Sequence, residues 1–318
     1  MCGMKLSLCI QVYNGGKDWQ ECWNSVLSNI DFFDNIFVSV SRSPVWEEDI
    51  SLVKSCALPK IHLLVHEERM SAVEHGKKID DWISSFQLEG HVFLLCHDDI
   101  LLSRGLEELS RLDLRHEDGV FGSWHFFSPE NTKRDLIVRQ FCFPEFSPID
   151  KQTFLFMLDQ QQYAMNISGL VIPAAIYNDR YLPWDLCNYG YRSELLHFSS
   201  PHIQRVYQLT FPAVKIRQRN DSEGALAVNK DIYFDTLLSQ CVLFHVAQKE
   251  ASKKFIMRGI AYIFGQNNFF RSACDLGITQ YRLWKNKYLT LYSIVQIWGR
   301  LLFLIVEFVC RKVIKRAK

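Results

Sequence analysis

The stretch VFLLCHDDILL, Val92 to Leu102, is an apolar run that ends on His97, Asp98 and Asp99. Two adjacent carboxylates repel each other, so something positive is expected beside them, either a helix amino end or a cation. If a helix starts in ILLSRGLEEL, capping and the helix dipole account for acids at its first turn. If the run is instead a strand opening on a pocket, two hard oxygen donors suit Mg²⁺ or Mn²⁺. Such an ion would hold a diphosphate through its remaining coordination positions. His97 is a further candidate ligand, or the hydrogen-bond partner of the two acids.

The surrounding pattern favours a strand end. LSLCIQVY reads as a first strand closed by the turn Asn14-Gly15-Gly16. In DWQECWNSVLSNI, Trp19, Cys22, Trp23, Val26 and Leu27 share one helical face. NIFVSVS, IHLLVHEE and VFLLC read as further strands, and SAVEHGKKIDDWISSF as a helix. Continuous apolar strands separated by helices predict a parallel sheet covered on both faces, an α/β architecture. Ligands in such sheets bind at the carboxyl ends of the strands, where His97-Asp98-Asp99 falls. After Gly119 the pattern loosens through FGSWHFF and FCFPEFSPIDKQTFLF, and SGLVIPAAIY restores a strand-like run. Trp184 to His202 mixes aromatic, charged and small residues in the manner of a cleft wall, and the chain from Lys230 onward reads mostly helical.

Composition narrows the function classes. The 318 residues are 48% apolar, ample for one large core. Thirty-six basic residues against 35 acidic ones leave a net charge of +1, so the molecule as a whole has no electrostatic reason to bind nucleic acid. The ten cysteines are scattered without a C-x-x-C pair, which predicts reduced core thiols in a cytosolic protein rather than a disulfide frame or zinc site. The opening MCGMKLSLCIQVYNGG lacks a charged leader before a long apolar region, so no export is expected.

Taken together, LSLCIQVYNGGKDWQECWNSVLSN, VFLLCHDDILLSRGLEEL and ISGLVIP resemble inverting glycosyltransferases of family two, over roughly Lys5 to Ser222. The resemblance implies the GT-A nucleotide-diphospho-sugar transferase fold, a Rossmann-like mixed sheet, here with a C-terminal helical extension. In that family the first strand ends P-V-Y-N and the next helix carries E-C-x-x-S-x-L. Gln11 replaces the proline here, whereas Val12, Tyr13 and Asn14 and the run Glu21 to Leu27 fit. The family's acidic metal motif falls on Cys96-His97-Asp98-Asp99 with its first acid missing. Asp98 is therefore the expected metal ligand, and Asp99 a second ligand or a support. The acid that usually reads the base after the second strand is also absent, and Val40-Ser41-Arg42-Ser43 stands there. Ser41 could hydrogen-bond a base and Arg42 meet a phosphate, while Glu67 is a candidate substitute contact.

An inverting transfer also needs a carboxylate that takes the proton from the acceptor hydroxyl. The family's landmarks fall on Ser168-Gly169 and on Pro212 with Val214-Lys215-Ile216-Arg217, and counting between them points to Glu194 as the base. Asp185, beside Trp184, is the rival. Arg217 and Arg219 resemble the loop that closes on the donor diphosphate, to which a guanidinium is well matched.

The last segment, LYSIVQIWGRLLFLIVEFVCRKVIKRAK, is long enough to span a bilayer, but it carries Arg300 and Glu307. A mid-membrane arginine costs roughly 2.5–3.5 kcal/mol. Ser293, Gln296, Arg300, Glu307 and Arg311 form one helical stripe opposite a broad apolar face, which suits a helix lying flat in the membrane interface. Arg311, Lys312, Lys315, Arg316 and Lys318 would meet anionic head groups at about 1 kcal/mol each. The expected organisation is a transferase domain over 1–229, a helical extension over 230–290 and a membrane-associating helix over 291–318. The expected activity is metal-dependent hexosyl transfer from a nucleotide-sugar donor to a saccharide, lipid-linked on the cytoplasmic membrane face, in bacterial surface-polysaccharide assembly. A non-catalytic nucleotide-sugar-binding protein on the same fold, and a nucleotidyltransferase, are the alternatives.

Overall fold

The computed structural model describes residues 4–128, 136–138, 147–151, 153–155, 167–180, 197–198 and 200–218, with the single positions 299, 302 and 306. Four strands predicted from apolar runs form as expected: β1 (Leu6–Tyr13), β2 (Asn35–Ser41), β3 (Ile61–His66) and β4 (His91–Cys96). They lie parallel in the order β3-β2-β1-β4. Helix α1 (Gly16–Ser28) buries Trp19, Cys22, Trp23 and Val26, the single face that the spacing predicts. The periodicity reading did not mark α2 (Trp46–Lys54). Helix α3 (Ala72–Ser84) begins with a reciprocal capping box between Ser71 and Glu74, which satisfies two amide donors of its first turn.

Beyond β4 the sheet becomes mixed, as the GT-A expectation requires. β10 (Val171–Pro173) runs antiparallel between β4 and β6 (Asp118–Phe121), and β11 (Arg205–Gln208) and β9 (Ile149–Asp150) complete eight strands. The strand-like run SGLVIPAAIY is a strand for three residues only. Pro173 has no amide to extend the ladder, and the chain turns into the short helix α5 (Ala175–Asn178). A second sheet, in the order β5-β12-β7-β8, joins β5 (Ile100–Leu101), β12 (Val214–Arg217), β7 (Trp124–Phe127) and β8 (Leu136–Val138). Phe121, Trp124, Phe154 and Phe198 pack between the elements that follow β4.

The register brings chemistry to one edge. Tyr13 lies beside Ser41, Ser41 beside His66, and Gln11 beside Cys96, so β1 to β4 end together. Cys9, Cys22, Cys56 and Cys96 are free thiols among the described residues, in keeping with the reading of their spacing. Among the described residues no helix is long and apolar enough to cross a membrane.

Candidate active site at the carboxyl end of the central strand

Asp98 and Asp99 do not cap a helix. The Asp99 amide donates to the Cys96 carbonyl to close a turn, β5 follows, and α4 (Ser103–Ser110) starts later, with Leu102 in the capping position and no side-chain cap. Three distant segments hold this turn. From α1, Ser25 Oγ accepts from the Leu101 amide at 3.0 Å and donates to the Cys22 carbonyl, while Cys22 Sγ lies 3.7 Å from the Cys96 carbonyl. The E-C-x-x-S spacing thus has a local physical meaning: one helix face braces the acidic turn.

The second brace is Ser168, whose hydroxyl donates to Asp99 Oδ2 at 2.5 Å and accepts from the Cys96 amide at 2.7 Å. Gly169 follows at φ +86°, a conformation that L side chains rarely adopt, and its amide ties back to the Leu94 carbonyl. The third brace is Arg217. Its amide donates to Asp99 Oδ1 at 2.9 Å, its Nε donates to the Asp98 carbonyl at 3.0 Å, and its fork pairs with Asp18 at 3.2 Å and Glu21 at 2.5 Å. An arginine 118 residues further on from Asp99 thus sits beside both acids, but it reaches the Asp99 carboxylate through its main-chain amide and Asp98 through the main-chain carbonyl, so its guanidinium pairs with neither carboxylate.

The two acids differ in kind. Asp99 is 2% exposed with both oxygens engaged, and burial, reinforced by the Asp98 charge, pushes its carboxyl well above the usual range. Asp98 is half-buried, and no hydrogen bond or ion pair engages its carboxylate among the described residues. Among the described residues no three His, Cys, Asp or Glu side chains are grouped to hold a metal by themselves. Mg²⁺ and Mn²⁺ at diphosphate sites need only one or two carboxylates, the rest of the shell being phosphate and water, so one free Asp98 fits such an ion.

The expected nucleotide contacts divide as sharply. Val12 is fully buried core. Tyr13 is half-buried at the end of β1, and the Arg69 guanidinium lies 5.5 Å from its ring centre. Asn14 is exposed at φ 52°. Ser41 is buried, its hydroxyl donating to the Glu68 carbonyl and accepting from the Met70 amide, so it anchors the loop that carries Arg69. Arg42 is exposed, bonds the Glu67 carbonyl and lies over Trp46, and the Glu67 side chain is also exposed. His97 is half-buried beside Asp98. Below the strand ends, Ser39 Oγ lies 3.0 Å from His66 Nε2 and 2.8 Å from His75 Nε2, within hydrogen-bond reach of both rings. Burial chiefly, with His66 and His97 adding, pushes the His75 imidazole down to about 4.

Glu194, Asp185 and Arg219 lie outside the described residues. Sequence reasoning did not single out Arg69 or Asp49. Asp49, on α2, accepts the Gly15 and Gly16 amides at 3.1 and 2.9 Å and receives the Trp19 indole on its carbonyl. A Cβ on Gly15 would sit 2.4 Å from Trp19 Cβ, so only glycine fits this turn. No local signal marks Asp49, because its partners are 33 and 34 residues away.

Neither a protein-family model nor any curated protein matches the chain by sequence. Solved structures do match by shape. The chain superimposes on residues 1–349 of S. aureus TarS with a TM-score of 0.52 and 15% identity, covering 84% of this chain and 74% of that one. The same TarS segment in complex with UDP gives 0.51 at 15% identity over the same shares. A longer TarS chain gives 0.50 at 14% identity, and this chain spans 44% of its length. The fold is the GT-A glycosyltransferase fold.

Proposed function

We propose that this chain is an inverting, metal-dependent glycosyltransferase of the hexosyltransferase kind. It moves a sugar from a nucleotide-diphosphate donor to a saccharide acceptor, lipid-linked, in bacterial surface-polysaccharide assembly of the O-antigen or capsule type. One observation carries the enzyme reading: among the described residues no partner engages the partly exposed carboxylate of Asp98, in a turn braced from three sides at the end of the central strand. The fold shared with TarS, solved in one case with UDP, supports a nucleotide at this edge.

In this reading Asp98 would hold Mn²⁺ or Mg²⁺, with Asp99 as its support. When bound, such an ion offsets the charge of the departing diphosphate. Tyr13 and Arg69 would take the base. A guanidinium has donors only, so it suits a base with a carbonyl edge such as uracil or guanine. The acceptor oxygen bonds to the anomeric carbon as the bond from that carbon to the diphosphate oxygen breaks, and the single displacement inverts the centre. Glu194, with Asp185 as rival, takes the proton of the acceptor hydroxyl.

The division at 229 and 290 and the cytoplasmic membrane-face location belong to the same proposal. Gly299, Leu302 and Val306 are helical, and Leu302 and Val306 are 67% and 54% exposed. Exposed leucine and valine one turn apart, ahead of the terminal basic cluster in the sequence, support an interfacial helix.

The rival reading, a non-catalytic binding protein, draws on Cys96 at the missing acid and on the sequestered Asp99. A nucleotidyltransferase would need the amides of the first glycine turn for phosphate, and Asp49 occupies those of Gly15 and Gly16. The test is a thermal-shift screen of UDP- and GDP-sugars against the full chain with and without Mn²⁺, followed by transfer assays with the donors that bind. A Mn²⁺-dependent shift and turnover support the enzyme. Binding without turnover favours the rival, and no binding by any donor overturns both.

A further inference from the structure

We infer that Arg217 is a positioning residue for Asp98 rather than a ligand of the donor diphosphate. This rests on the reading of Asp98 as the metal-binding carboxylate. The Arg217 side chain is 5% exposed, and its Nε and both terminal nitrogens already have partners: the Asp98 carbonyl, Asp18 and Glu21. With 5% of the side chain exposed, little of the guanidinium is left for a phosphate to reach. The Phe127 ring, 4.9 Å from the guanidinium carbon, lies against it as well.

Stability by itself explains this arrangement poorly, because desolvating a guanidinium cancels most of what its ion pairs contribute. Its geometry explains it better. One residue engages both acids of the turn by complementary routes: its main chain bonds the Asp99 side chain, and its side chain bonds the Asp98 main chain. The antiparallel pairing of Val214 with Leu101 and Lys215 with Ile100 carries Arg217 across from the turn. Asp18 and Glu21 then fix the fork from the far side, so that Nε has one direction left to donate. Main-chain atoms of Asp98 are thereby held while its carboxylate stays free. Arg217 also sets a positive charge beside Asp98 and Asp99, and so moderates the repulsion between them without neutralising Asp98 through a direct pair.

The experiment compares the full wild-type chain with Arg217→Met, Arg217→Lys and Glu21→Gln by two readouts. The first is hydrogen exchange over 96–101 without ligand. The second is binding of UDP, with GDP as a second probe, in Mn²⁺ and in EDTA. In Arg217→Met, exchange over 96–101 is expected to rise about tenfold, the scale of one charge-assisted hydrogen bond, with β1 to β3 unchanged. The Mn²⁺-dependent part of nucleotide affinity is expected to fall by a similar factor, and the EDTA-resistant part to stay constant. Arg217→Lys keeps the charge without the fork and is expected to resemble Met. Should Arg217→Met fail to fold, Glu21→Gln, at a half-exposed position, loosens the same clamp from outside and is expected to speed exchange about threefold.

Unchanged exchange and Mn²⁺-dependent affinity in Arg217→Met overturn the inference. So does full rescue by lysine, which would make charge the operative property, and so does faster exchange throughout the sheet, which would make Arg217 a general core residue. A wild-type chain that binds neither nucleotide in Mn²⁺ sinks the glycosyltransferase reading instead, and the exchange arm then still decides whether Arg217 positions the turn.

Discussion

Asp118, at the amino end of β6, and Asp99, just beyond the carboxyl end of β4, are both sealed from solvent, at 0% and 2% exposure, yet their surroundings are opposites. Asp118 faces a full guanidinium fork, Arg205 Nε and Nη2 at 2.8 and 2.7 Å, and accepts the Arg115 amide, while its carbonyl meets His91 Nε2. One acid meets one base there, and the amino end of the sheet is closed. At the carboxyl end Asp99 has a hydroxyl and an amide for its oxygens, and a single guanidinium is shared among Asp18, Glu21 and the Asp98 carbonyl. Balanced charge makes a structural joint. At the carboxyl end, bracing without a charged partner on either Asp99 oxygen leaves the Asp98 carboxylate open among the described residues, at the edge where we propose that a cation binds.

The largest test of that contrast is Asp98→Ala. Several kcal/mol of leaving-group stabilisation would go, so Mn²⁺-dependent sugar transfer is expected to fall by about a thousandfold in initial-rate assays. Folding stability should move by less than about 0.5 kcal/mol, since an unpaired, partly exposed side chain is lost. Full activity in that variant refutes the metal role.

Acidification probes the carboxyl end through His75. Its folded-state value, about 4, lies below the ordinary 6.5, so the unfolded chain binds the extra proton first. The stability tied to neutral His75 is complete above about pH 6.5 and is lost as pH falls towards 4, by about 3 kcal/mol in total. Urea titrations across that window should register the loss, and His75→Gln should flatten the slope. An unchanged slope in that variant would mean that the imidazole is not held neutral.

At the closed end, Asp118→Ala strands the Arg205 fork. The cost is expected at about 2–3 kcal/mol, below the range for a fully buried pair because Arg205 is 27% exposed. Thermal melts should record it, and nucleotide affinity measured below the transition should be unaffected. Ser168→Ala is the smaller counterpart at the open end. It leaves Asp99 Oδ2 and the Cys96 amide without their partner, at about 1–2 kcal/mol, and should weaken Mn²⁺-dependent binding as well. A stability loss of that size without any change in binding would separate the turn from the site.

Much of this was legible in the chain. Trp19, Cys22, Trp23 and Val26 announced α1, and four apolar runs announced β1 to β4, because periodicity and apolar continuity are set by neighbouring residues. Helix α2 was not legible: among its residues only Asp49, Ile50 and Val53 are buried, too narrow a stripe to stand out in nine residues. The Ser41 hydroxyl is bonded twice by the loop after β3, 27 and 29 residues away, which no local signal announced, and Arg69, exposed and without a motif, was invisible until the fold set it over Tyr13.

The sequence by itself determined that an acid pair would end the strand VFLLC, in an α/β sheet whose ligands gather at that edge, since strand, turn and acids all lie within eleven neighbouring residues. The resemblance ranked Asp98 ahead of Asp99, but only the tertiary structure supplies the physical difference between them among the described residues. Ser168 comes from 69 residues away and Arg217 from 118, and both close on Asp99, so its carboxylate is sequestered while that of Asp98 is left open. Two adjacent aspartates are chemically identical in the chain, and long-range hydrogen bonding alone makes one a brace and the other a candidate ligand.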